Sequence, residues 1–197
     1  MKFHIIINSF QREEMLNRLL SQLPNVSITV YLDGCSYKDQ TENVHYRTVK
    51  HHGKERYNEL IMLGWEEAPL ADYYINLPDD ITICDNFIER ALECFESSDM
   101  DVLNLMKDNR FVITEKINNL VERVYFQDLC IMYPKRILDY FRSLELLPNP
   151  RKESSGVAKQ LNRHLRGFQI CRVRETLVYH GNHKSKMNPK RKKAIIA

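Results

Sequence analysis

With 197 residues, the chain has room for one sizeable hydrophobic core, and its length favours one domain over two. A 43% hydrophobic and 28% charged composition describes a globular protein, and no apolar run approaches the ~18 residues of a membrane span. The net charge of +3 conceals a polarised chain: residues 151–197 hold 13 Lys and Arg against two acids, and residues 1–150 hold 16 against 24.

Phe3–Ile7 is an Ile-rich run that predicts a buried first strand and is too short for a signal peptide. Asn8 and Ser9 are expected to cap a helix over about residues 11–23, where Met15, Leu16, Leu19, Leu20 and Leu23 recur at helical spacing. Ser27–Leu32 predicts a second strand with an Asp33-Gly34 turn at its carboxyl end, and Val44–Val49 predicts a third. A helix around Lys54–Trp65 carries Tyr57, Leu60, Ile61 and Gly64 on one side. Tyr73–Leu77 predicts a fourth strand, stopped by Pro78, which has no N–H to donate, and followed by two carboxylates, Asp79 and Asp80.

Asp85 is then expected to cap a helix containing Phe87, Ile88, Ala91, Leu92 and Phe95, before a strand within Asp101–Met106. Residues 110–133 alternate enough to predict a β-rich insertion with a turn at Asn118-Asn119. Lys135–Leu144 and Ser155–Leu165 predict helices, with Gly167 as a stop before a strand near Phe168–Cys171. The order predicts an α/β fold: a mostly parallel sheet flanked by helices on both faces, with the β-rich insertion in the C-terminal half.

In such sheets ligands bind outside the carboxyl ends of the strands, where Asn8, Ser9, Asp33, Asp79 and Asp80 fall. Adjacent carboxylates repel unless a cation lies beside them, so the Asp79-Asp80 pair suits a divalent metal carrying phosphate oxygens; a solvated turn is the competing reading. Neither GxGxxG nor GxxxxGK[ST] occurs, which argues against a dinucleotide enzyme or a P-loop NTPase. Asp33 is a candidate acceptor for the imide N–H of uracil, against a plain Asp-Gly turn. The basic C-terminal section suits phosphates of a nucleotide or a nucleic acid, and a solvated tail over Lys184–Lys193 is its alternative. Five scattered cysteines without CxxC spacing argue against a zinc ribbon or a disulfide framework and for a reducing, by default cytoplasmic, setting.

Four segments, in order, resemble the nucleotide-sugar-binding half of GT-A glycosyltransferases, nearest to the large family 2. Ile5-Ile-Ile-Asn-Ser-Phe-Gln-Arg12 is similar to the opening strand and its P-[TS]-x-x-R turn, and Val30–Thr41 to V-D-D-G-S-T-D-x-T with one extra residue after Ser36. His52-Gly-Lys-Glu-Arg-Tyr-Asn58 resembles G-K-x-x-A-x-N, and Tyr73–Ile81 the strand ending in a DxD motif. A fifth, Glu175-Thr-Leu-Val-Tyr-His-Gly-Asn-His-Lys-Ser185, resembles the P-S-L-V-x-H-x-G-x-x-S end of many small GT-A enzymes. The resemblance implies one domain over residues 1–183, with a nucleotide-sugar-binding half (1–106) and an acceptor half (107–183), and a basic tail over 184–197.

It further implies transfer of a sugar from a nucleoside diphosphate sugar, with uridine the expected nucleoside and Mn²⁺ or Mg²⁺ as cofactor. Asn8, Ser9, Arg12, Asp33, Lys54, Asn58, Asp79, Lys184 and Ser185 become the donor-binding candidates, with Lys186 as a further phosphate contact. Asp80 and His180 become the metal-ligand candidates, with a structural histidine as the alternative for His180. Pro78 stands where a three-acid motif has its first Asp, so Asp80 takes the metal and Asp79 is expected to face the sugar or ribose. Gly34 replaces the second Asp of the V-D-D turn.

No E-D motif for a catalytic base is legible, which leaves Glu153 and then Asp128 as candidates for the base of an inverting transfer; a structural salt bridge competes for Asp128. The acceptor is open between a saccharide and a nucleic-acid base, the latter helped by Arg172, Arg174 and Tyr179. A nucleotidyltransferase and a non-catalytic nucleic-acid-binding module are the alternative functions.

Overall fold

The computed structural model describes residues 1–38, 40–53, 55–107, 112–125, 129–148 and 156–180. Its centre is a nine-stranded sheet in the order β3-β2-β1-β4-β9-β6-β10-β8-β7. The strands are β1 (Phe3–Ser9), β2 (Ser27–Asp33), β3 (Val44–Val49), β4 (Tyr73–Pro78), β6 (Val102–Asn104), β7 (Ile113–Lys116), β8 (Val121–Val124), β9 (Ile131–Pro134) and β10 (Ile170–Val173). β5 (Ile81–Ile83) and β11 (Val178–His180) form a separate antiparallel ribbon. The helices are α1 (Glu13–Gln22), α2 (Tyr57–Glu66), α3 (Phe87–Glu96), α4 (Lys135–Arg142) and α5 (Gly156–His164). No helix among the described residues is long and apolar enough to cross a membrane.

β1 to β4 run parallel, with α1 crossing over between β1 and β2 and α2 between β3 and β4. The predicted β-rich insertion is built into the sheet rather than set beside it. β9 runs antiparallel between β4 and β6, and the β7–β8 hairpin extends the far edge beyond β10. Hydrogen-bonding capacity at the edge of β4 explains this, since a buried strand edge must find a partner.

Alternation along β1 divides the core. Ile5 and Ile7 face α1 and α3 in one apolar cluster, with Leu16, Leu19, Phe87 and Ala91. Ile6 faces α2 and α4 in the other, with Leu60, Ile61, Trp65, Leu138 and Phe141. Both faces are therefore covered, and the period of two in the strand meets the 3.6-residue stripes of the helices. Gly64 permits the closeness of α2, because a Cβ there would stand 3.0 Å from Ile6 Cγ2.

Two expected caps are corrected. β1 continues through Asn8 and Ser9, and α1 begins after Arg12, so neither Asn8 nor Ser9 caps it. Gln11, at φ 53°, turns the chain between them. The N-cap of α3 is Asn86 at φ 53°, not Asp85, consistent with the tolerance of asparagine for left-handed backbone.

The expected nucleic-acid contact of Arg172 is corrected as well. Arg172 is buried and donates from Nε and Nη2 to Glu122 Oε2 at 3.1 and 3.0 Å, directly across the β8–β10 ladder. Arg174 Nε lies 3.5 Å from the other oxygen of Glu122, and its Nη1 donates to the Asn118 carbonyl. Arg172 thus balances a buried acid instead of facing a polyanion, while Arg174 meets the same acid and stays 39% exposed. Tyr179 remains exposed.

His4 is another buried ionisable group of the sheet. Its Nδ1 lies 2.8 Å from Ser27 Oγ, and Nε2 has no partner among the described residues. Burial, and then the charge of His45, lowers its pKa from 6.5 to about 4. The unfolded chain takes up this proton near 6.5 and the folded protein only near 4. Stability is therefore full above the unfolded value and falls by about 3 kcal/mol as pH is lowered through that window. Urea unfolding of His4→Leu is expected to show a flatter pH dependence there; an unchanged slope would place the loss on other groups.

Candidate active site

The carboxyl ends of β1 and β4 lie side by side, with Asn8 paired to Pro78 in the ladder. That register brings Ser9 and Asp79 together. Asp79 Oδ2 accepts hydrogen bonds from Ser9 Oγ at 2.7 Å and from the Phe10 N–H at 3.2 Å, and Oδ1 accepts from Arg12 Nη1 at 2.9 Å. The same Nη1 lies 2.5 Å from Asp80 Oδ2. The cation that an Asp-Asp pair requires is therefore present, and it is Arg12.

Both acids are buried, Asp79 at 3% and Asp80 at 5% exposure. Burial pushes the Asp79 carboxyl above the usual carboxylate range, while Ser9 and Arg12 pull it back. Arg12 keeps its charge because Asp79 and Asp80 more than offset the penalty of its burial. The expectation that Asp79 faces the sugar is corrected: its oxygens turn inward and orient Arg12.

A directed chain of hydrogen bonds supports the pair. The Arg12 N–H donates to the Tyr37 hydroxyl at 2.9 Å, Tyr37 donates to Ser9 Oγ at 2.7 Å, and Ser9 donates to Asp79. Each step follows from the last, since a carboxylate only accepts and an N–H only donates. Tyr37 was not among the sequence candidates. Burial raises its pKa to about 12, so it stays a donor. The signal for it was the one residue by which Val30–Thr41 exceeds the family motif, and that residue is Tyr37.

The β5–β11 ribbon supplies the third side. His180 pairs with Ile81 in that ribbon, next to Asp80, and its Nε2 lies 3.5 Å from Asp80 Oδ1. Asn8 contributes a buried Oδ1 without a partner among the described residues, beside Tyr57. Burial raises the pKa of the Tyr57 phenol, its hydrogen bond to Asn8 opposes this, and Asp79, Asp80 and Asp33 add to the rise, so the phenol keeps its proton.

Two further candidates are displaced from the roles expected for them. Asp33 is fully buried, and its oxygens accept the backbone N–H of His52 at 2.5 Å and of Gly53 at 3.2 Å. It fastens the loop after β3 and is closed to a base. Asn58 is buried in the first turn of α2 and donates to the Leu146 carbonyl at 2.7 Å, which joins α2 to the segment after α4. Lys54, Asp128, Glu153, Lys184, Ser185 and Lys186 lie outside the described residues.

Among the described residues, no group of three His, Cys, Asp or Glu side chains is arranged to hold a metal. Asp80 and His180 form a two-donor set, a carboxylate and an imidazole. Such a set fits an Mg²⁺- or Mn²⁺-type ion whose remaining positions go to phosphate oxygens and water, and does not fit an all-protein cage. A surface depression of about 490 Å³, lined by Tyr73, Asp72 and Arg136 among others, lies at the opposite end of β4 and has no part in this site.

Compared by sequence, the chain matches no family model and no curated protein. Compared by structure, it is similar to S. aureus TarS 1-349 in complex with UDP-GlcNAc, with a TM-score of 0.67 and 16% identity over 95% of this chain and 60% of that one. The fold is GT-A. TarS itself gives a TM-score of 0.63 and 16% identity, over 95% of this chain and 38% of that one. The chain thus spans 60% or less of these two TarS chains. CMP:2-keto-3-deoxy-manno-octonic acid synthetase complexed with CTP is similar at a TM-score of 0.55 and 14% identity, over 87% of this chain and 89% of that one. Both are likenesses of fold. In this GT-A sheet the acids, Arg12 and Tyr37 all gather at the carboxyl end of β1 and β4.

Proposed function

We propose that this chain is a glycosyltransferase that moves a sugar from a nucleoside diphosphate sugar, uridine being the expected nucleoside, with a divalent metal and inversion at the sugar carbon. The observation that carries the reading is the buried Asp79–Arg12–Asp80 arrangement facing His180 at the strand ends of a GT-A sheet. TarS, whose structure was solved with UDP-GlcNAc, shares that fold and supports a uridine diphosphate donor.

The residues divide the work. Asp79, held by Ser9 and the Phe10 N–H, fixes the guanidinium of Arg12 at the mouth of the site. Arg12 is a planar multi-donor cation suited to phosphate oxygens, so it is the diphosphate contact. Asp80 and His180 would hold the metal, which when bound supplies Lewis-acid stabilisation of the departing diphosphate. Lys184, Lys186 and Ser185 remain proposed phosphate contacts. Glu153 and then Asp128 remain the proposed bases that would take the acceptor's proton. The acceptor is proposed to be a saccharide or another hydroxyl nucleophile. With Arg172 engaged by Glu122, a nucleic-acid acceptor would rest on Tyr179, Arg174 and the Lys184–Lys193 stretch.

A nucleotidyltransferase is the second reading, favoured by the similarity that covers 89% of the CMP:2-keto-3-deoxy-manno-octonic acid synthetase chain. The two separate cleanly by product. A panel of uridine diphosphate sugars with Mn²⁺ is expected to yield UDP slowly, with water as acceptor, and Asp80→Ala is expected to lower that rate by about 100-fold or more. Pyrophosphate released from a nucleoside triphosphate, with no UDP from any sugar donor, would replace this reading with the second.

A further inference from the structure

The loop after β3 presents one side chain that the reading above leaves unused. His51 follows the carboxyl end of β3, beside the ends of β2 and β1, and its side chain is 51% exposed. Its imidazole stacks on the ring of Phe10 with centroids 4.7 Å apart and planes 20° from parallel. Its Nδ1 lies 3.3 Å from Oδ2 of the fully buried Asp33.

Two glycines form its seat. A Cβ on Gly34 would stand 2.3 Å from His51 Cβ and 2.9 Å from its Cα, so the histidine rests where any side chain at 34 would be. Gly34 also holds φ at +66°, which L side chains rarely adopt. A Cβ on Gly53 would come within 3.3 Å of Nε2. Glycine in place of the second Asp of the expected turn is therefore what lets His51 settle over Asp33.

Resting on the reading of this site as a nucleoside diphosphate site, we infer that His51, and not Asp33, reads the edge of the donor's base and selects uracil over cytosine. Asp33 has no exposed surface and its oxygens already accept two backbone N–H groups. What it does offer is its negative charge. That charge favours the proton on the nearer nitrogen, Nδ1, and so leaves a lone pair on Nε2. An acceptor at Nε2, on a side chain that is half exposed, matches the N3–H of uracil. It opposes N3 of cytosine, which is itself an acceptor and leaves two lone pairs facing one another. Phe10 holds the imidazole plane, so the acceptor direction is fixed before the base arrives.

The test is calorimetric titration of UDP and of CDP into the full chain with Mn²⁺, for the wild type, His51→Ala and Phe10→Ala. The wild type is expected to prefer UDP by about 10-fold, a difference typical of one hydrogen bond made or opposed. His51→Ala, an exposed substitution, is expected to lose most of that preference by weakening UDP and, with the opposed lone pair gone, binding CDP as well as or better than the wild type. Phe10→Ala is expected to reduce the preference in part. Equal preference in wild type and His51→Ala, or a wild type that favours CDP, would overturn the role of His51 and leave the diphosphate site standing. A wild type that binds neither nucleotide would overturn both.

Discussion

Arg12→Ala is expected to destabilise the folded protein by about 3–5 kcal/mol at neutral pH, the range for removing one partner from buried charges. The substitution leaves Asp79 and Asp80 facing each other at 3% and 5% exposure with no guanidinium between them. Ser9 and the Phe10 N–H still serve Asp79, but neither carries charge. Two consequences distinguish this from ordinary packing loss. The deficit should shrink as pH falls, because the Asp79 carboxyl, already raised by burial, takes up a proton and ends the repulsion. Millimolar Mn²⁺ alone should also recover part of the deficit, since a divalent ion can replace the missing positive charge. Denaturant unfolding across pH, with and without Mn²⁺, measures both. A deficit independent of pH and metal would mean that Arg12 acts through packing.

Glu122→Ala is the second large effect. It removes the carboxylate to which the 3%-exposed Arg172 donates from two nitrogens, deep in the β8–β10 ladder. A cost of about 3–5 kcal/mol follows, together with the loss of an anchor for Arg174. The double variant Glu122→Leu with Arg172→Met should recover most of it, because apolar replacement of a buried ion pair is often neutral or stabilising. Thermal unfolding of the single and double variants decides the matter. A double variant no better than Glu122→Ala would show that Arg172 is required beyond this pair.

The strands that frame the site were legible because β1, β2 and β4 are short apolar runs with turn residues after them, and their ends located Asn8, Ser9, Asp33, Asp79 and Asp80. What those ends do was less legible, because burial decides it. Asp33 reads as a free strand-end acid, yet its loop folds back and takes both of its oxygens. Ser9 reads as a helix cap, yet β1 runs two residues further and turns the hydroxyl toward Asp79, 70 residues away. Arg172 reads as a basic contact because its acid lies 50 residues earlier and is met only through sheet pairing. The ribbon of β5 and β11 has three residues in each strand, too few for any periodicity, and it is the element that carries His180 to Asp80. His51 had one visible trace, the glycines at 34 and 53 that make room for it.

The central claim is that the Asp80, Arg12 and His180 cluster binds a nucleoside diphosphate together with a metal. A thermal-shift panel of nucleoside diphosphates and their sugars, each with and without Mn²⁺, on the wild type and Asp80→Ala, tests it most directly. The account predicts stabilisation by uridine diphosphate compounds only when Mn²⁺ is present, and its loss in Asp80→Ala. No response across the panel, or a response that persists in Asp80→Ala, would contradict it.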